Sequence, residues 1–221
     1  MARLPLLPKV ALWLVALGVL GVLFVRSAQS AREAPFTMAR EGMAPWTLVR
    51  EPENDALGAW LVLRPPTQLA PSLGRQIFSR AGESVHYPNP PSMPLLLRGE
   101  FDRSLAGVLE PEAVMTAARV AGVESAPFEP RCMARRRVSE PGSTRTVYFL
   151  VFDAPSFGQF RQVVAELLRG AGGPASSFDP AALSPTLIVA ATDESFGRWL
   201  PLTAPPGADP HPDCIAPIDV P

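Results

Sequence analysis

The chain has two histidines, and each sits among groups that could do chemistry with it. His86, in ESVHYPN, lies beside Glu83, Ser84 and Tyr87, partners for a general base. A loop histidine bonded to backbone is the plainer reading of the same residues. Glu100 and Asp102 stand two apart at the end of an apolar run (LLLRGEFD). In a strand they share a face, and a carboxylate pair can divide acid and base roles. Paired with nearby arginines, they are ordinary strand-end ion pairs instead. Together His86, Glu100 and Asp102 define a weak candidate site for a small ligand or a hydrolytic reaction. His211 and Asp213 precede Cys214 in HPDC and are metal-ligand types. Pro212 stiffens that segment and no tight Cys/His spacing exists, so no metal is expected there. Glu51, Glu53 and Asp55 (EPEND) offer oxygens for calcium, but read more simply as a solvated turn.

No G-x-S-x-G, H-E-x-x-H, Walker loop, G-x-G-x-x-G or C-x-x-C occurs. No catalytic residues and no cofactor are assigned on this basis. Lys9 is the single lysine, which removes Schiff-base, Walker-lysine and Ser-Lys chemistry from everything that follows it.

The exposed feature with most promise is basic. A strand over Arg131 to Val138 would project Arg131, Arg135 and Arg137 from one face and Cys132, Ala134, Arg136 and Val138 from the other. Such a row can hold a phosphate, an acidic glycan, anionic lipid or an acidic partner. Its alternative role is a charged edge that discourages strand pairing between molecules. Net charge is −1, from 20 basic and 21 acidic residues. That lacks the basic excess of a nucleic-acid binder, so nucleic acid is not an expected partner.

Residues 10–25 (VALWLVALGVLGVLFV) form an uninterrupted apolar run bracketed by Lys9 and Arg26. As a helix these 16 residues span about 24 Å, against a hydrocarbon core of about 30 Å. The run is short for a spanning helix and long for a signal-peptide core. Ala28 and Ser30 are small residues at a workable spacing for cleavage before Ala31. Both an uncleaved anchor and a removed signal peptide place the rest of the chain outside the cytoplasm. Cys132 and Cys214, the two cysteines of the chain, then read as one disulfide.

The elements that must position these residues follow from periodicity. Residues 58–64 (GAWLVLR) form a strand, and 72–80 a short helix with Gly82 beyond its end. From residue 95 the order reads strand 95–101, helix 111–123, strand 131–138, strand 145–152, a helix started by Asp153 and Pro155, and strand 186–191. Residues 195–200 close the series with a short helix. That β-α-β-β-α-β order is the split βαβ arrangement of ferredoxin-like domains. The first and third strands would be central, with the arginine strand at an edge. The expected class is therefore α+β: an N-terminal transmembrane or signal-anchor helix, then a ferredoxin-like domain with an extra strand and helix in front.

The expected organisation is an anchor over 1–26, a linker over 27–45, an extracytoplasmic domain over 46–200 and a tail over 201–221. Proline, at 27 of 221 residues, is dense in that tail, which the disulfide would pin to the domain. The expected function is that of a membrane-tethered, non-enzymatic interaction domain with a protein partner in an envelope assembly. The alternative is a secreted or periplasmic ligand binder or hydrolase with its site near His86.

Overall fold

The structure is a computed structural model that describes residues 6–43, 45–53, 55–203 and 211–221. The chain divides into two units, residues 1–34 and 35–221. The first is one helix, α1 (Leu6–Glu33), whose side chains are described from Trp13 to Arg26. Trp13, Leu14, Val15, Leu17, Val19, Leu20, Val22, Leu23, Phe24 and Val25 are all more than half exposed. The flanking Lys9 and the cleavage candidates Ala28 and Ser30 lie outside the described side chains. Among the described residues no helix is long and apolar enough to cross a membrane.

The second unit is a mixed α+β domain. Its strands are β1 (Phe36–Thr37), β2 (Thr47–Arg50), β3 (Ala59–Arg64), β4 (Met93–Leu97), β5 (Glu129–Glu140), β6 (Ser143–Asp153), β7 (Thr186–Ala191) and β8 (Cys214–Asp219). Its helices are α2 (Leu69–Ala81), the short turn α3 (Arg98–Glu100), α4 (Pro111–Val120) and α5 (Pro155–Gly170). A five-stranded sheet runs β1-β8-β5-β6-β7, and a three-stranded one runs β2-β3-β4.

The long antiparallel pair β5–β6 is the backbone of the larger sheet. Pro141 and Gly142 turn between them, and Gly142 takes φ +85°, a conformation that glycine reaches without steric cost. Both faces of this pair are buried over Cys132–Ala134 and Thr146–Phe152. Met133, Tyr148 and Leu150 join one core with α2, α4 and α5 residues such as Leu73, Val114 and Phe160. Cys132, Ala134, Phe149 and Val151 join a second with Ala59, Val62, Phe196 and Trp199. A sheet covered on two sides explains why Val147–Phe152 is continuously apolar instead of alternating.

The pairing departs from the ferredoxin-like expectation. The element order from β4 onward is as expected, but β4 pairs with β3, and β7 lies directly beside β6. The cause is β3. Its residues from Ala59 to Leu63 are all essentially inaccessible, so it must be central, and it takes β2 and β4 as its two neighbours. Nor is β5 an edge over its first half, because β8 covers Cys132–Ala134. The tail is therefore in part a strand. The expected linker is also structured in its second half, where β1 pairs parallel to β8 and a 3-10 turn spans Arg40–Met43. The strand expected over 95–101 ends at Leu97, where the chain turns helical at Arg98.

Candidate functional site

The disulfide forms between Cys132 on β5 and Cys214 on β8, bridging 82 positions of sequence. It fixes the strand that follows His211.

The arginines of β5 do not form a free row. Arg131 falls at a bulge between Pro130 and Cys132, which breaks the expected alternation, and it bonds Asp153 at 2.9 Å. Arg135 lies across from Tyr148 and interacts with its hydroxyl. Arg137 donates to Glu83 Oε1 at 2.9 Å, while the Tyr148 hydroxyl donates to Oε2 of the same carboxylate. Burial and the Glu83 charge push the Tyr148 phenol up from its ordinary value. On the opposite face Arg136 grips Asp213 through Nε and Nη2 at 2.9 and 2.7 Å. These arginines thus bind parts of the chain that lie far away in sequence.

His86 pairs its backbone with Ala191 of β7, and its Nδ1 lies 3.1 Å from Glu194 Oε1 in an exposed pair. Glu100 faces elsewhere. Its carboxylate accepts from the Leu97 N–H and from Arg161, at 2.7 Å for the Nη2–Oε1 bond. Asp102 is exposed on the π-helical turn Phe101–Leu105. The three weak candidates therefore serve separate local purposes: a sheet edge, a buried ion pair and a solvated turn.

Arg161 escapes any sequence reading. It is fully buried on α5 and donates to the carbonyls of Leu95, Asp179 and Pro180 as well as to Glu100. Its guanidinium also lies 4.8 Å from the Phe178 ring centre.

Among the described residues, two clefts bear on the candidate groups. One, of about 540 Å³, is lined by Arg131, Asp153, Phe157, Gln162, Ser184 and His211. His211 Nδ1 accepts the Asp213 N–H at 3.2 Å, which leaves the proton on Nε2. That Nε2 is buried and has no partner among the described residues. Burial holds the His211 pKa below its ordinary value, against the pull of Asp213.

The second cleft, of about 490 Å³, lies between the turn at 55–58, the α3 region and the 3-10 turn Phe196–Trp199. Glu100, Arg103, Ser195 and Arg198 bring charge and polarity to it, and Leu57, Leu97 and Leu200 apolar surface. Asp55 at its rim is occupied by the N–H groups of Leu57 and Ala59. Among the described residues no group of His, Cys, Asp and Glu is placed to hold a metal ion.

Compared with known proteins, the chain matches no family model, no curated protein and no solved structure.

Proposed function

We propose that this chain is a membrane-tethered domain displayed on the oxidising side of the membrane, where it works by contact with a protein partner rather than by catalysis. The observation that carries the reading is α1. A helix lying against water or in the lipid interface keeps a polar face. The described side chains of α1 are by themselves too short a stretch to cross a membrane, but between Trp13 and Val25 they include no polar one, and apolar side chains are exposed all round the helix. Lipid is the solvent that suits such a surface, with Arg26 at its end. The Cys132–Cys214 disulfide supports an extracytoplasmic domain, since such bonds persist in oxidising compartments. The partner reading draws on the far half of β5. Among the described residues no strand covers its outer side beyond Arg135, and residues 137–139 are exposed, so an added strand could pair there.

The test is fractionation of cells expressing the full chain, followed by an alkaline wash of the membranes. An inserted α1 keeps the chain in the pellet, and Val19→Arg combined with Leu20→Arg releases it. Wild-type chain released by the wash would defeat the anchor. For the partner, crosslinking at Ser139 in native membranes should give a discrete adduct that Val138→Pro abolishes.

A further inference from the structure

We infer that the cleft between the 55–58 turn and the Phe196–Trp199 turn binds a small organic oxyanion, a carboxylate or phosphate on an apolar body, through Arg103 and Arg198. This stands independently of the membrane reading.

Two arginines, Arg103 and Arg198, and two carboxylates, Asp55 and Glu100, line the cleft. Glu100 is matched to Arg161, and Asp55 is satisfied by two backbone N–H groups. No carboxylate pairs with Arg103 among the described residues. Arg198 has Glu140 at 3.7 Å, but Glu140 is already held by Arg145 at 2.6 Å. With Glu100 matched by Arg161 from outside the lining and Asp55 held by backbone N–H groups, the Arg103 and Arg198 guanidiniums are the lining groups left to meet an anion.

Two glycines aim Arg103 and Arg198. A side chain at Gly99 would meet the Arg103 guanidinium at 3.2 Å, so glycine lets that group fold back over the first turn toward the cleft. At Gly197 a Cβ would press on the backbone of Ala56 and Leu57 at 3.0–3.1 Å, and the Gly197 N–H donates to Ala56 O. That close approach fixes Arg198 on the opposite wall. Guanidinium groups match the planar fork of an oxyanion. The leucines at 57, 97 and 200 give its carbon body an apolar bed, and the volume suits a small metabolite more than a bare ion.

The experiment is calorimetric titration of the full chain in lipid nanodiscs with inorganic phosphate and, separately, with succinate, at constant ionic strength. Saturable one-to-one binding of at least one anion is expected, and which one binds identifies the oxyanion. Arg103→Gln and Arg198→Gln should each weaken it about tenfold or more, as loss of a charged hydrogen bond does. Both residues are exposed, so an unchanged melting temperature without anion is expected of the variants. No saturable binding of either anion up to tens of millimolar overturns the inference. Binding that survives in the double variant overturns it too, since the anion then sits elsewhere.

Discussion

Arg161 concentrates more bonds than any other side chain described. It ties α5 to β4 and to the 178–180 segment through one guanidinium with no exposure to solvent. Removing one partner of a buried ion pair leaves the other uncompensated, at a cost of about 3–5 kcal/mol. Arg161→Ala should lower the free energy of urea unfolding by that amount, and a loss below about 1 kcal/mol would show the network to be dispensable. Periodicity puts Phe157, Phe160, Val164, Leu167 and Leu168 on one face of α5; four of them are buried and Leu167 is exposed. Nothing in that pattern marks Arg161, because the carbonyls that satisfy it come from β4 and a distant loop. Asp153 was misread. It bonds Arg131, and the N-cap position of α5 is taken by Ala154. His211 makes a second prediction. Its folded pKa lies below the free value of 6.5. As pH falls below about 6.5 the unfolded chain takes up a proton that the folded chain resists. The stability held by neutral His211 is thus complete above that value and is lost on acidification through the folded pKa. Between pH 7.5 and 5 the wild type should lose more stability than His211→Gln, and parallel curves would contradict the assignment.

At the scale of elements, local signals were sufficient wherever a segment's own pattern decides its structure. Residues 186–191, 111–120 and 143–153 are strand, helix and strand as the side-chain types dictate. The pairing of strands was legible only in part, because it depends on competition between segments. The β3 strand claims β4 through its buried residues, and that leaves β7 to pair with β6. The β8 strand was hidden by its prolines. Pro217 stands opposite Cys132, at a strand whose far side is covered only by the two residues of β1, where a missing donor is tolerated. The disulfide was legible because a chain with two cysteines has one intramolecular pairing to choose. A bridge across 82 positions restricts the unfolded chain by about 4–5 kcal/mol at most. Cys132→Ala with Cys214→Ala should therefore cost about 2–4 kcal/mol in denaturant, and reduction of the wild type should cost the same. A double variant as stable as the wild type would mean that β8 is held by Arg136–Asp213 and the ladder alone.

For the whole molecule, the chemistry-bearing residues named from sequence turned out to serve separate structural bonds, while the second cleft is lined by Arg103 and Arg198, which no motif marks. Their significance comes from Gly99 and Gly197, whose roles appear only when α3 and the 196–199 turn meet the 55–58 segment. The central claim concerns α1 and the disulfide together: one chain, retained in a membrane, with its domain on the oxidising side. The most direct measurement is the intact mass of the chain recovered from alkali-washed membranes after thiol alkylation without reduction. The account predicts the full-length mass of 23.7 kDa, less the two hydrogens of the disulfide and with no alkyl adducts. A chain shortened near residue 30 and found in the soluble fraction, or a full-length chain carrying two adducts, would contradict it.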